Sequence, residues 1–174
     1  MANRTAFEIL YKEYYVRVYG LCRRLLGSSE TAEDAAQEAF MRAFRSFHRF
    51  DSEQPFWQWI ATIANRCCID ALRRQDKRED LFGDEADELA QLAGAEAPVL
   101  SEVIAAEDKA LLSGAIAQLP ARYRVPLVLA YFNGSSYDDI AGALGVTRNH
   151  VGVLLLRARQ QLKADLAAER GAVS

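Results

Sequence analysis

Few side chains in this 174-residue chain could carry covalent chemistry, and they are scattered. The only two histidines, His48 and His150, stand in opposite halves. No HExxH or CxxC pair and no glycine-rich phosphate loop occurs. Cys22, Cys67 and Cys68 lack metal-ligand spacing, and an odd number of them predicts reduced, partly buried thiols. No catalytic residue, no metal site and no cofactor is expected. The chemistry the sequence does offer is recognition. Between His48 and Arg78, the aromatic residues Phe50, Phe56, Trp57 and Trp59 lie close to Arg66, Arg73, Arg74, Lys77 and Arg78. Unpaired bases stack on aromatic rings while cations hold their backbone, each stacked base contributing about 1–3 kcal/mol. Most of these aromatics read as helix core, so the irregular loop 48–54 and the arginines are the better candidates.

A second recognition pattern lies at residues 136–158, SYDDIAGALGVTRNHVGVLLLRA. Ser136 can cap a short helix whose first turn holds Tyr137, Asp138 and Asp139. Ala141 is small, Gly145 follows four residues later, and Val151 six after that. This is the spacing of a helix-turn-helix: the small residue admits a close approach, and glycine relieves a left-handed turn position. Ile140, Leu144, Val151 and Leu154 would seal the angle between the helices. Thr147 would cap the longer helix and set Arg148, Asn149 and His150 at the end that enters the major groove. An ordinary helical hairpin with a glycine turn is the simpler alternative.

The elements that position these groups read as helices throughout. Apolar residues recur at helical spacing from Phe7 to Leu25, and Gly27 supplies a stop. Ser28 and Ser29 offer N-cap oxygens to a helix with Ala35, Ala36, Ala39, Phe40, Ala43, Phe44 and Phe47 on one face. His48–Pro55 interrupts the pattern, and Pro55 suits the first turn of a third helix running into the charged tail Arg73–Asp80. A second module starts near Ser101, with a helix over Val103–Gln118, another from Pro120 through Phe132, and a turn at Asn133-Gly134. The fold class is therefore all-α, two small helical domains at 1–80 and 101–174 joined by a flexible acidic linker at 81–100, transiently helical around Glu88–Leu92.

Charge distribution supports this division. The net charge of −3 argues against a nucleic-acid partner until the acidic residues are located. Ten of them fall in residues 79–108, a stretch without one basic side chain, which leaves 21 basic against 14 acidic residues elsewhere. No apolar stretch approaches the roughly 20 residues that span a bilayer. The segment Met1–Glu8 has no apolar signal core, so a cytoplasmic protein with no membrane insertion is expected.

Three motifs in order carry a resemblance to the extracytoplasmic-function (group 4) bacterial sigma factors. AEDAAQEAFMRAFRSFHRF (32–50) resembles their core-binding signature, and WIATIANRCCIDALRR (59–74) their promoter-melting helix. LPARYRVPLVLAYFNGSSYDDIAGALGV (119–146) with LRAR (156–159) resembles their second conserved domain. The resemblance implies sigma domain 2 at 1–80 and a helix-turn-helix sigma domain 4 at 101–174. Core-polymerase contacts then fall on Asp34, Gln37, Glu38, Phe40, Arg42 and Phe44, against the clamp of the largest subunit. Minus-10 DNA falls to His48, Arg49, Phe50, Asp51, Trp57, Asn65, Arg66, Asp70, Arg73 and Arg74. Minus-35 DNA falls to Ser136, Tyr137, Thr147, Arg148, Asn149, His150, Gly152, Val153, Arg157 and Arg159, with the second module docked near the flap of the second-largest subunit. The partners implied are core RNA polymerase, promoter DNA and an anti-sigma factor. The acidic linker would run through the polymerase active-centre channel as a mimic of the phosphate backbone.

Two stretches depart from the family pattern. Asn65 precedes Arg66 and Cys67, whereas relatives carry Asn one place later; a one-residue shift turns a helical side chain by about 100°. Residues Val151–Leu156 have no polar side chain where relatives carry basic ones. Fewer phosphate contacts predict weaker, less salt-sensitive binding, and the apolar surface suits either shape readout of DNA or a protein partner. A helix-turn-helix regulator acting without core polymerase would leave 32–50 unexplained. An anti-sigma-like binding protein would not need the helix-turn-helix.

Overall fold

The computed structural model describes residues 2–76, 80–83 and 109–173. The chain divides into two compact units, Met1–Arg78 and Glu79–Ser174. Every regular element among the described residues is helical. The expectations for Lys77, Arg78, the linker at 84–100 and the start of the Val103–Gln118 helix lie outside the described residues.

Unit one is built from α1 (Ala2–Leu26), α2 (Ser29–Ser46), a 3-10 turn (Phe47–Arg49) and α3 (Phe56–Gln75). On α2 the inward face is nearly all alanine: Ala32, Ala36, Ala39 and Ala43 are fully buried. Such small side chains let neighbouring helices come close, and the gaps are filled by Val18, Leu21, Cys22 and Leu25 of α1 and by Ile60, Cys68 and Ile69 of α3. Gly27 ends α1 with a left-handed φ of 75°, its amide donating to the Arg23 carbonyl at 3.0 Å. Two local expectations need correction. Ser28 has the extended backbone of an N-cap, but its hydroxyl makes no capping hydrogen bond; its carbonyl accepts from the Thr31 hydroxyl at 3.4 Å. Pro55 stands at the N-cap of α3 rather than inside its first turn, because its ψ of 128° is extended.

All three cysteines are free and buried. Burial pushes the Cys67 thiol up to about 11, and the Cys22 contact together with burial raises Cys68 as well. Both therefore stay protonated at neutral pH and behave as small apolar side chains.

Unit two contains α4 (Lys109–Gln118), α5 (Ala121–Tyr131), α6 (Tyr137–Leu144) and the long α7 (Arg148–Val173). Leu112, Ile116, Val125, Leu127, Val128, Ile140, Leu144, Leu154 and Leu155 close its core. Arg124 is buried among them and its guanidinium donates to the carbonyls of Leu119, at 2.8 Å, and Ala117, at 3.4 Å. These are groups that the end of α4 leaves without helical partners.

The turn between α6 and α7 follows the sequence closely. Ser136 Oγ accepts the Asp139 amide at 3.1 Å, and Thr147 Oγ1 accepts the His150 amide at 3.2 Å. Gly145 sits between them at φ 69°. Ile140, Leu144, Val151 and Leu154 are all buried and seal the angle. Replacing Gly145 by Ala should cost about 1–2 kcal/mol, the penalty for a Cβ in left-handed backbone. Chemical denaturation followed by circular dichroism measures it; an unchanged midpoint would mean that the turn relaxes without strain.

Candidate functional site

In unit one, α2 turns its non-alanine side outward. Asp34 and Gln37 are exposed, Met41 and Phe44 are each about half exposed, and Glu38 is partly covered. At 100° per residue, Asp34, Gln37, Met41 and Phe44 fall in a stripe about 80° wide. The stripe borders an open groove between α1 and α2, lined by Phe7, Tyr11, Phe40, Met41 and Phe44 with Arg4, Glu8 and Lys12 around it. Phe40, expected on the contact surface, forms the floor instead. It is 3% exposed, with its ring 4.8 Å from Tyr11, 6.0 Å from Tyr15 and 6.3 Å from Phe7. Met41 was not among the expected residues, although its helical spacing from Gln37 and Phe44 marks the same face.

Arg42 works laterally. Its Nε donates to Glu38 at 2.7 Å and its Nη1 to Asp70 on α3 at 3.3 Å. The Glu38 bond, first, and the Asp70 bond raise the affinity of Arg42 for its proton. Asp70, expected beside DNA, is thereby part of an α2–α3 ion bridge.

The loop after α2 has an anchored inner side and an open outer side. Phe50 packs against Trp59 at 5.1 Å, Phe56 at 5.5 Å and Phe47 at 5.9 Å. Asp51 folds the turn back by accepting the Glu53 amide on Oδ1 at 3.0 Å. His48, Arg49 and Asp51 remain exposed. Trp57 is half-buried beneath the Arg17 guanidinium, 3.7 Å above its ring, a stacking partner that local sequence did not suggest. Along α3, Arg66, Asp70 and Arg73 share a stripe about 60° wide. Arg66, Arg73 and Arg74 are exposed and Asn65 is half-buried.

In unit two, exposed polar groups converge where α6 and α7 begin. Arg148 Nη1 donates to Asp138 Oδ2 at 3.0 Å and its guanidinium lies 5.7 Å from the Tyr137 ring centre. Ser136, Thr147 and Asn149 are exposed beside it. Four residues expected to face DNA are buried instead. Gly152 and Val153 are enclosed, and His150 is 7% exposed with Nε2 2.7 Å from the Phe82 carbonyl. Arg159 Nη1 donates to the Tyr131 hydroxyl at 3.2 Å, which holds it inside the unit. Arg157 is half-buried.

Among the described residues, no cluster of His, Cys, Asp and Glu could hold a metal ion. No helix among them is long and apolar enough to cross a membrane. The arrangement offers surfaces for binding: an acidic-to-apolar stripe, a basic-aromatic loop and helix, and the mouth of a helix-turn-helix.

Comparison with known proteins identifies the family. The Sigma-70 region 2 family matches residues 10–78, and the Sigma-70 region 4 family matches residues 109–162. The chain is 32% identical to the ECF RNA polymerase sigma factor SigW of Bacillus subtilis, over 94% of this chain and 90% of that one. It is 30% identical to the ECF RNA polymerase sigma factor SigM of the same organism, over 89% of this chain and 91% of that one. A similar fold occurs in the sigma factor RpoE of Bartonella quintana, solved in complex with the anti-sigma factor NepR. That match has a TM-score of 0.60 at 20% identity and covers 93% of this chain and 97% of that one. The region 2 and region 4 matches fall one in each unit, and the relatives span nearly the whole chain; the protein belongs to the ECF sigma factors, which bind core RNA polymerase and direct it to promoters.

Proposed function

We propose that the two units divide the sigma function between defined surfaces. Unit one seats on the polymerase clamp through the α2 stripe, with Asp34, Gln37 and Glu38 as polar partners and Phe44 with Met41 as the apolar anchor. The observation that supports this most is the sidedness of α2: its alanines are spent on the core, leaving one acidic-to-apolar stripe exposed. Carboxylates on that stripe suit arginines of the clamp, where they set orientation and association rate more than affinity. Phe40 and Arg42 hold the stripe in shape from beneath and beside.

Loop 48–54 captures a melted minus-10 base, with His48, Arg49 and Asp51 on its open side and Phe50 and Trp57 as its aromatic wall. Extracting such a base costs a few kcal/mol, which binding in the loop offsets. Arg66, Arg73 and Arg74, with Asn65 beside them, track the adjoining strand. Asp70 steers from its ion bridge with Arg42. In unit two, Ser136, Tyr137, Thr147, Arg148 and Asn149 approach the minus-35 element, with Arg157 behind them. The proposed domain limits are 1–80 and 101–174 with the linker at 81–100, the described residues 80–83 falling in the second compact unit. The chain performs no bond chemistry of its own, since nucleotidyl transfer belongs to the polymerase, and it works in the cytoplasm. An anti-sigma factor is the proposed regulator, as in the complex known for the fold neighbour.

Arg148 provides the experiment. Arg148→Ala in the holoenzyme should weaken promoter binding about tenfold and reduce the salt slope by about one phosphate contact. Filter binding across a salt series measures both. An unchanged affinity and slope would remove the start of α7 from the DNA interface.

A further inference from the structure

The apolar stretch of α7 is the part of the sequence that promoter recognition leaves unexplained. Val151, Gly152, Val153, Leu154 and Leu155 are buried without a gap. Five consecutive helical residues at about 100° each sweep more than a full turn, so no side of α7 is open at this level. A helix that enters a DNA groove needs an open face. Part of the cover is visible at residues 80–83, which follow unit one in the chain yet belong to unit two. Phe82 is 1% exposed, and its carbonyl oxygen lies 2.7 Å from His150 Nε2 in the first turn of α7. One residue on, the Gly83 carbonyl accepts from Arg122 Nη2 of α5 at 3.1 Å. A buried apolar ring and two backbone carbonyls thus fasten this segment. The carbonyls occupy side-chain donors of the kind that take phosphate oxygens on DNA.

We propose that Asp80–Gly83 is an intramolecular strap that covers the DNA-reading face of α7 in the free chain, so that the strap and minus-35 DNA exclude one another. Gly152 and Val153, buried beyond the residues that seal α6 against α7, would then be the seat of the strap, next to His150 whose Nε2 meets the Phe82 carbonyl. Free protein is consequently blind to the minus-35 element, and reading begins when the strap is displaced in the holoenzyme. Asp80 at the head of the strap is exposed and carries a negative charge. The inference rests on the assignment of α7 to the minus-35 element.

The test uses the full-length chain. The DNA probe is a fluorescent duplex carrying the minus-35 region of a promoter on which the holoenzyme initiates. Phe82→Ala should raise the affinity of free protein for this duplex at least tenfold. Leu81→Gln, which alters a half-buried residue outside any helix and removes no fully buried side chain, should raise it about threefold and guards against unfolding by the first variant. Diethyl pyrocarbonate supplies the second readout, because the chain has one buried and one exposed histidine. His150 should be protected in the unmodified chain and should react at a rate approaching that of His48 in the Phe82→Ala variant. Folded variants with unchanged affinity and a still-protected His150 would overturn the strap. Should His150 become reactive without any gain in affinity, the exclusion of DNA would be overturned. The effect of Arg148→Ala on the holoenzyme separates the two readings: if it impairs promoter binding while the strap variants do nothing, the strap alone has failed. If it has no effect, the minus-35 assignment itself has failed.

Discussion

Phe40→Ala is expected to lower the unfolding free energy of unit one by about 3–5 kcal/mol, the range for truncating a buried phenylalanine. The ring is 3% exposed and forms edge-on or stacked pairs with Tyr11, Tyr15 and Phe7. Each such pair contributes about 0.5–1.5 kcal/mol beyond the area it buries. The alanines flanking Phe40 on the buried face of α2 have no rotamers with which to fill the space, so the cavity persists. Both tryptophans, Trp57 and Trp59, lie in unit one, so urea unfolding followed by their fluorescence reports on this unit alone. A loss below about 1 kcal/mol would show that α1 and α2 collapse onto the gap instead of holding rigid.

Phe44→Ala should have the opposite profile. One turn further along α2, this ring is 50% exposed and touches Phe7 at 5.1 Å from one side only. Its removal should change stability by about 1 kcal/mol or less. Affinity for core polymerase should nevertheless fall about thirtyfold, the loss of roughly 2 kcal/mol that marks an interface anchor. Competition against a labelled sigma factor for core polymerase measures it. Equal core affinity for Phe44→Ala and the unmodified chain would move the anchor away from this stripe.

The contrast between Phe40 and Phe44 shows where sequence reasoning stops. Both are aromatic residues on the same broad face of α2, and periodicity alone allows either to touch a partner. Tyr11 and Tyr15 of α1 decide that Phe40 points inward, and that pairing is tertiary. The helix-turn-helix was far more legible because its determinants are local: the caps at Ser136 and Thr147, the left-handed Gly145 and the apolar seal obey short-range rules. The same holds for the end of α1 at Gly27. Ser28 fails as a side-chain cap although its residue type allows one. The burial of His150 and Arg159 depends on Phe82 and Tyr131, distant in the chain, and nothing adjacent to either residue announces those partners. The unbroken apolar run after His150 was the one visible sign that this part of α7 would be covered.

Transcription reconstituted from purified components measures sigma activity itself. Core polymerase, the purified chain and genomic DNA fragments are incubated with nucleotides, and the 5′ ends of the transcripts are mapped. Start sites should require the chain and share a minus-10 and minus-35 pair at fixed spacing, with no such set from core alone. A chain that fails to bind core, or that binds without directing initiation at any common sequence, would contradict its role as a sigma factor.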